Sequence, residues 1–333
     1  MIRSFLNLLT GRPTLCVYDL TTRCNSRCAF CSIWKRREKE MNLKEIEKVF
    51  TDLKRFGIHT IFLQGGEPLV HSNFLEVTDM LVSMGFHVNV ISNGILMSEN
   101  MISKLDDMNI RGRIKVTISL DTLDRKKYEK IRGVDRLDAV LKNIRSLAEC
   151  RSLEGGVHAT VTSINYTELE DLRKLIHDLG LDFSFNTYND VKNYASAGDR
   201  SLSLKNSRKV EKIIAEIEKL KERMPRLYRP FISDNIRYMR GEDVGPCDAF
   251  IDSFRVTSEG MLTPCLELPP FYDLKKQDIS REWKDFKKRA RCPIERCYTR
   301  TPCFYGCTRG MGSVKRNPPT AIVGFFSVIS NRA

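Results

Sequence analysis

Short apolar segments alternate with amphipathic helical segments along the first 190 residues, and this alternation is the strongest constraint on the fold. Six of the apolar segments are typical of strands, namely TLCVYDLT, TIFLQGGEPLV, HVNVISNG, IKVTISLD, GVHATVTSIN and LDFSFNTYND. Segments between them, such as LDAVLKNIRSLAEC, place apolar residues at helical spacing. Regular repetition of strand and helix predicts an α/β fold with a parallel sheet.

Most of the eleven cysteines fall into two groups. Cys24, Cys28 and Cys31 form the first, and the second comprises Cys247, Cys265, Cys292, Cys297, Cys303 and Cys307. The stretch MIRSFLNLLTGR lacks the long apolar core of a secretion signal, so we expect a cytoplasmic protein in a reducing compartment. Clustered thiols there bind metal or do redox chemistry more often than they form disulfides. The isolated Cys16 and Cys150 are expected to be small buried side chains.

The first cysteine group has three thiols within eight residues and no fourth ligand nearby. A structural zinc site takes four protein ligands, and the next histidine, His59, follows a whole predicted helix. A cubane iron-sulfur cluster held by three thiolates keeps one iron open for another ligand. The trio therefore indicates a catalytic cluster.

The spacing C-x₃-C-x₂-C, with Phe30 before the last cysteine and a strand before the first, resembles the radical S-adenosylmethionine (radical SAM) superfamily. The resemblance implies a partial (β/α)₆ TIM-like barrel and a [4Fe-4S] cluster whose open iron chelates S-adenosylmethionine. In that family, reductive cleavage of the cofactor gives a 5′-deoxyadenosyl radical that removes a hydrogen atom from a substrate. A reductant such as flavodoxin or ferredoxin is then also expected.

Further signatures at the strand ends imply where S-adenosylmethionine binds. GGEP resembles the family segment that contacts the methionine amino group, SNG resembles a segment after the third strand, and SLD resembles the ribose contact. The cofactor-binding residues implied are Gly65, Gly66, Glu67, Pro68, Asn93, Ser119 and Asp121. Capping of the next helix is the alternative role for Asn93 and Ser119. The segment YEKIRG is similar to the HDxxRG of peptide-modifying members, with Tyr-Glu in place of His-Asp.

The second cysteine group is similar to the SPASM pattern, which places auxiliary iron-sulfur clusters after the barrel. Gly260 and the last two gaps match, but four residues separate Cys292 from Cys297 where two are usual, and no final cysteine follows Cys307. The resemblance pairs Cys247 and Cys265 with Cys307 in one cluster, and it assigns the other three cysteines to a second. A twitch-type domain with one cluster and a zinc ribbon remain open.

Such a cluster accepts an electron from a product radical, binds substrate or relays electrons. An oxidation also needs a proton acceptor, and the candidates are Glu267, Tyr188 and Asp190, with a surface or structural role as the alternative for each.

The expected organisation is a lead-in at 1–12, the barrel at 13–195, a helical connection at 196–235, the cysteine-rich domain at 236–310 and a tail at 311–333. The formal charge of +13 is spread over mixed charge runs, so we expect no specific nucleic-acid partner. Membrane contact by the apolar tail stays open. Substrate alternatives are a peptide or protein, a small molecule, and a lipid or phosphorylated metabolite. A non-catalytic electron-transfer protein is the alternative of a different class.

Overall fold

The computed structural model describes residues 12–109, 112–150, 152–189, 196–197, 199–204, 209–251, 253–300, 303–304, 309–310 and 312–313. The predicted site residues Asp190 and Cys307 lie outside this range, as does most of the tail.

Nine strands and nine helices follow one another within the described residues. The strands are β1 Leu15–Thr21, β2 Thr60–Gly65, β3 His87–Ser92, β4 Ile114–Ser119, β5 Glu154–Val161, β6 Asp182–Thr187, β7 Ser253–Val256, β8 Met261–Thr263 and β9 Tyr272–Asp273. The helices are α1 Leu43–Phe56, α2 Phe74–Ser83, α3 Glu99–Asp107, α4 Arg125–Arg132, α5 Leu137–Glu149, α6 Leu169–Asp178, α7 Val210–Lys221, α8 Arg229–Met239 and α9 Ile279–Arg300. Each of the six strands predicted from the sequence is present.

All strands belong to one sheet in the order β6-β5-β4-β3-β2-β1-β7-β8-β9. Strands β1 to β6 are parallel, which confirms the predicted α/β fold with the parallel sheet of a partial TIM-like barrel. Strand β7 pairs in parallel with the free edge of β1, with Val17 opposite Arg255, and β8 and β9 continue it in antiparallel fashion. The cysteine-rich segment therefore extends the same sheet.

The two faces of the parallel sheet differ in chemistry because side chains alternate along each strand. Val88 and Val90 of β3 are fully buried against the helices, whereas Asn89 between them lies half-buried on the other face. On that inner face Thr117 donates to the Asn89 side chain across the strands, at 2.9 Å. The helix side is thus the apolar core and the inner side is a polar surface.

Helix α1 illustrates how local sequence fixes the elements. Asn42 and Glu45 form a reciprocal capping box, and Gly57, at φ 111°, ends the helix in the left-handed region. The helix thereby returns the chain to β2, beside the cysteine loop. Within the described residues, none of the helices combines the length and apolar character needed to cross a bilayer.

Candidate cluster and S-adenosylmethionine site

The three N-terminal cysteines lie on the loop that follows β1, at the carboxyl edge of the sheet. Polar hydrogens face each sulfur: the amide of Ser26 lies 3.4 Å from Cys24 Sγ, and the amide of Ile33 lies 3.4 Å from Cys31 Sγ. The guanidinium of Arg132 is 4.0 Å from Cys28 Sγ. Donors directed at sulfur stabilise bound thiolates and tune the potential of a cluster.

Burial keeps these thiols protonated when no metal is bound. It raises the pKa of Cys24 to about 12 and that of Cys31 to about 11, and in both cases the neighbouring Cys28 adds to the rise. For Cys28 itself, burial raises the pKa and the charge of Arg132 opposes the rise. Three thiols this close together do not readily ionise on their own. They are suitable ligands for iron, because the metal displaces their protons on binding. The residues present therefore fit a cluster.

Gly65 and Gly66 allow the end of β2 to pack directly on the cysteine loop. A Cβ at Gly65 would lie 2.2 Å from the carbonyl oxygen of Thr21, and one at Gly66 would lie 2.2 Å from that of Arg23. The amides of Gly66 and Glu67 donate to these same carbonyls at 2.7 and 2.8 Å. Glycine at both positions therefore lets the two backbone segments pack in direct contact. Pro68 begins a short 3₁₀ helix behind them.

The carboxylate of Glu67 is fully buried and engaged by the protein. Its oxygens accept from the Ser92 hydroxyl at 2.9 Å, from the Asn93 amide at 2.7 Å and from the Leu69 amide at 3.2 Å. Burial raises the pKa of Glu67 to about 7, against these hydrogen bonds. The side chain therefore ties the end of β2 to the end of β3, and its contact with the methionine ammonium stays a prediction.

Asn93 links the end of β3 to the cysteine loop. Its amide nitrogen donates to Asn25 Oδ1 at 2.6 Å and to Ser26 Oγ at 3.1 Å, and it lies 3.9 Å from Cys24 Sγ. Its side-chain oxygen accepts from the Ile95 amide at 3.0 Å. Asn93 therefore stands beside the first cysteine and closes the local turn, while Ser98 caps the helix that follows.

Asp121 is also engaged by the protein, in a buried ion pair with Arg132. Its Oδ2 lies 2.6 Å from Arg132 Nε, and its Oδ1 accepts from the Thr160 amide at 2.7 Å. Asp121 has no exposed surface, and its contact with the ribose stays a prediction. Ser119, at the end of β4, is half-buried on the inner face.

The sequence predictions do not include Arg132, although the YEKIRG segment is the signal that marks it. The end of α4 packs against the cysteine loop: Arg27 and Ala29 donate backbone hydrogen bonds to the carbonyls of Arg132 and Ile131 at 3.1 and 2.9 Å. A Cβ at Gly133 would lie 2.3 Å from the carbonyl of Arg27. Both the arginine and the glycine of that segment thus hold the loop.

A second missed group lies on the inner face of β5 and β6. His158 contacts the Ser184 hydroxyl through Nδ1 at 2.9 Å and the Asn186 amide through Nε2 at 3.2 Å. Burial and the nearby charge of Arg132 lower the pKa of His158 to about 4, so the ring is neutral at pH 7. Donation from the Asn186 amide to Nε2 assigns the ring proton to Nδ1, which then donates to Ser184. The alternation of side chains between the two faces of β5 could have placed His158 on the inner face.

Among the cysteines of the second group, Cys303 is electrostatically coupled to three others. Burial raises the pKa of Cys303 well above its usual range, and the charges of Cys247, Cys265 and Cys297 add to the rise. Cys303 is thus coupled to Cys247 and Cys265, which the SPASM resemblance places in a different cluster. Cys292 is exposed on α9.

The candidate proton acceptors lie in different places. Glu267 is buried beside the second group, with its amide 3.4 Å from Cys265 Sγ and its charge raising the pKa of Cys303. Tyr188, also buried, lies near Phe30 of the cysteine loop, with tilted rings whose centroids are 6.3 Å apart. Asp190 lies outside the described residues.

Comparison with known proteins agrees with this geometry. The sequence model of the Radical SAM superfamily matches residues 18–179. A probable GTP 3′,8-cyclase of Pyrococcus abyssi is 34% identical over 40% of this chain and 44% of its own length. The GTP 3′,8-cyclase of Clostridium perfringens strain SM101 is 28% identical over 74% of this chain and 79% of its own. The chain thus spans under half the length of the first relative.

Solved structures show the same fold at low identity. SuiB of Streptococcus suis bound to S-adenosylmethionine superposes with a TM-score of 0.62 and 17% identity, covering 82% of this chain and 66% of SuiB. Native anSMEcpe with bound AdoMet and Cp18Cys peptide superposes with a TM-score of 0.61 and 16% identity. The match covers 96% of this chain and 100% of anSMEcpe.

The fold and the cysteine loop define an iron-sulfur enzyme that uses S-adenosylmethionine. Residues 18–179 form a domain of the radical SAM superfamily, and that family implies a [4Fe-4S] cluster with an open iron site and S-adenosylmethionine as the cofactors.

Proposed function

We propose that the chain cleaves S-adenosylmethionine reductively at a cluster held by Cys24, Cys28 and Cys31, and that the resulting radical oxidises or cross-links an organic substrate. The observation that carries this proposal is the loop itself: three half-buried thiols face N–H donors and a guanidinium, with one thiolate fewer than a cubane has irons. Bound there and reduced, the cluster supplies the electron that splits the cofactor into methionine and a 5′-deoxyadenosyl radical.

The residues around the loop have distinct tasks in this proposal. Asn93 and Arg132 hold the first two cysteines and supply partial or full positive charge to their sulfurs. The GGEP carbonyls at the end of β2 accept from the methionine ammonium, and the Ser119 hydroxyl contacts the ribose from the end of β4. Glu67 and Asp121 position these elements.

Formation of 5′-deoxyadenosine tests the proposal. Anaerobically reconstituted, reduced protein should produce it from S-adenosylmethionine, and a Cys28→Ala variant should produce none. Cys150→Ala is a matched control, because Cys150 lies apart from both cysteine groups at the end of α5. Equal product from wild type and the Cys28 variant would contradict the assignment of the loop.

We further propose one auxiliary cluster, with Cys247, Cys265, Cys297 and Cys303 as its ligands. The electrostatic coupling of Cys303 to the other three supports this grouping over the two incomplete sets that the sequence pattern implies. Four thiolates complete a cubane. The buried Glu267 beside them suits a proton acceptor, and an adjacent cluster suits acceptance of the electron left on a product radical.

Iron analysis distinguishes one auxiliary cluster from two. With Cys24, Cys28 and Cys31 all changed to Ala, about four irons per chain should remain. Adding Cys303→Ala to that variant should remove them, whereas adding Cys292→Ala should not. About eight irons, or a loss with Cys292→Ala, would contradict the ligand set.

The inner face favours a polar substrate without a chain of phosphates. Its described cations are each paired: Arg255 with Asp19, Lys115 with Asp182 and Arg132 with Asp121. A triphosphate needs several cations that are not already neutralised. Together with the fold shared with anSMEcpe, solved with a bound peptide, this supports a peptide or protein substrate.

Cyclisation of GTP is the second candidate, favoured by the Clostridium perfringens relative. Anaerobic incubation with GTP and S-adenosylmethionine separates the candidates. On the first proposal, GTP neither increases 5′-deoxyadenosine formation nor is consumed. GTP consumption that matches 5′-deoxyadenosine formation would establish the second.

A further inference from the structure

The loop that carries the first three cysteines also presents positive charge to solvent. Between β1 and α1 it contains six basic residues and two acidic ones. Two of the basic residues are paired with acids, Arg23 with Glu40 and Arg36 with Glu38. The other four, which we name the cationic rim, are exposed and form no ion pair among the residues that the structure describes: Arg27, Lys35, Arg37 and Lys39.

Two of the rim residues lie beside the ring of Trp34, and a third binds the Trp34 backbone carbonyl. The guanidinium carbon of Arg27 lies 5.7 Å from the ring centroid, and Lys35 Nζ lies 5.1 Å from it. Arg37 donates to the Trp34 carbonyl at 3.0 Å and to the Arg36 carbonyl at 2.8 Å. These charges therefore form a compact patch with an aromatic centre.

The patch is directly connected to the first cluster site. The backbone amides of Ile33 and Trp34 both face the sulfur of Cys31, and the Ile33 amide is 3.4 Å from it. Other flanks of the loop are covered by protein, with Gly66 against Arg23 and Gly133 against Arg27. The exposed charge of Lys35 therefore lies one residue after Trp34, whose amide faces the sulfur of a predicted cluster ligand.

We propose that the cationic rim docks an acidic one-electron carrier protein of the flavodoxin type, which delivers the electron for cofactor cleavage. This inference rests on the proposed function, because a reductive cleavage consumes one electron that the chain must receive. In the step, the carrier is oxidised by one electron and the loop's cluster is reduced by one, and no atom is transferred. Opposite charge speeds the encounter of such partners, and redox interfaces are small and transient, as this patch allows.

A second basic surface provides the matched control. Lys287 and Lys288 are exposed on α9, beyond β9 in the C-terminal extension, and neither forms an ion pair among the described side chains. The variants Lys35→Glu/Arg37→Glu and Lys287→Glu/Lys288→Glu change the net charge equally. Only the first alters the rim.

Two measurements on the full, cluster-loaded chain test the proposal. The first is the dissociation constant of a purified acidic flavodoxin at several salt concentrations. The second is the rate of 5′-deoxyadenosine formation with reduced flavodoxin as donor, compared with dithionite as donor. The rim variant should bind flavodoxin and turn over with it about tenfold less well at low salt. Its dithionite-driven rate should stay within about twofold of wild type, and the α9 variant should match wild type throughout.

Other results would overturn the proposal. An equal loss in both variants would indicate a general charge effect, and a loss confined to the α9 variant would place the carrier there. A fall in the dithionite-driven rate of the rim variant would mean that the rim serves the cluster, the cofactor or an anionic substrate. If wild type forms no 5′-deoxyadenosine with dithionite, the proposed function fails, while the binding measurement still decides whether the rim docks the carrier.

Discussion

At the scale of single residues, the site depends on buried charges that neutralise one another. Arg132 lies between the Asp121 carboxylate and the thiol of Cys28, with almost no exposed surface. The carboxylate in turn accepts from the β5 backbone at Thr160. Because an uncompensated charge in such a place is far more costly than a neutral pair, the arginine and aspartate should behave as a unit.

Substitution of that pair has a predicted order of stability. Arg132→Met alone should lower the free energy of unfolding by about 3–5 kcal/mol, since it strands the Asp121 carboxylate. The double variant Asp121→Asn/Arg132→Met should be more stable than Arg132→Met. Chemical denaturation under anaerobic conditions measures both. A double variant less stable than the single one would contradict the pairing.

His158 should not titrate near neutral pH. Its lowered pKa of about 4 means that the folded chain keeps the ring neutral, while the unfolded chain protonates it below about 6.5. Stability from this residue is therefore complete above about pH 6.5 and declines as pH falls toward 4. The rate of cofactor cleavage in a His158→Gln variant should follow the wild-type pH profile in shape between pH 6 and 8. A wild-type inflection near pH 6.5 that disappears in the variant would refute the neutral assignment.

The sequence locates site positions better than it locates side-chain direction. Motif spacing places Glu67 and Asp121 at strand ends, as observed, but a motif does not say whether a carboxylate faces a ligand or a neighbouring strand. Both face the protein. Arg132 lies more than 100 residues from Cys28, so their contact is set by packing of α4 on the loop, which no local pattern encodes.

At the scale of elements, the cysteine loop is held from three sides, by the ends of β2, β3 and α4. The tightest approach is that of the β2 end, where glycine leaves no room for a side chain. Backbone on both sides of that contact cannot move aside as a flexible side chain would.

Gly66→Ala should therefore destabilise the loop. A Cβ 2.2 Å from the Arg23 carbonyl forces a backbone shift, which we expect to cost about 1–3 kcal/mol and to lower cluster occupancy. Gly310→Ala is the control, since nothing lies within 4 Å of an added Cβ there, and it should change stability by less than about 0.5 kcal/mol. Iron content and unfolding midpoints measure the difference. Full iron loading and wild-type stability in Gly66→Ala would show that this contact determines neither cluster occupancy nor stability.

Element prediction succeeds for the six parallel strands because each is an apolar run bounded by polar turns and followed by an amphipathic helix. It fails for β7, β8 and β9, which have four, three and two residues. Such short strands carry no periodicity of their own. Their position depends on a long-range partner, β1, and on the buried pairing of Arg255 with Asp19.

At the scale of the whole molecule, one sheet carries both cysteine centres. The first follows β1, and the second belongs to the extension that β7 attaches to β1. In the proposed function, a rigid sheet fixes the distance between the proposed radical-forming site and the proposed electron-accepting site.

The proposed function requires that Cys24, Cys28 and Cys31 hold a cluster with an iron open to S-adenosylmethionine. The most direct test is the electron paramagnetic resonance spectrum of the reduced, reconstituted protein before and after addition of S-adenosylmethionine, with the Cys24→Ala/Cys28→Ala/Cys31→Ala variant beside it. We expect the wild-type signal to change shape when the cofactor is added, and the remaining signal of the variant not to respond. A wild-type spectrum indifferent to the cofactor, or a response retained by the variant, would contradict the proposed function.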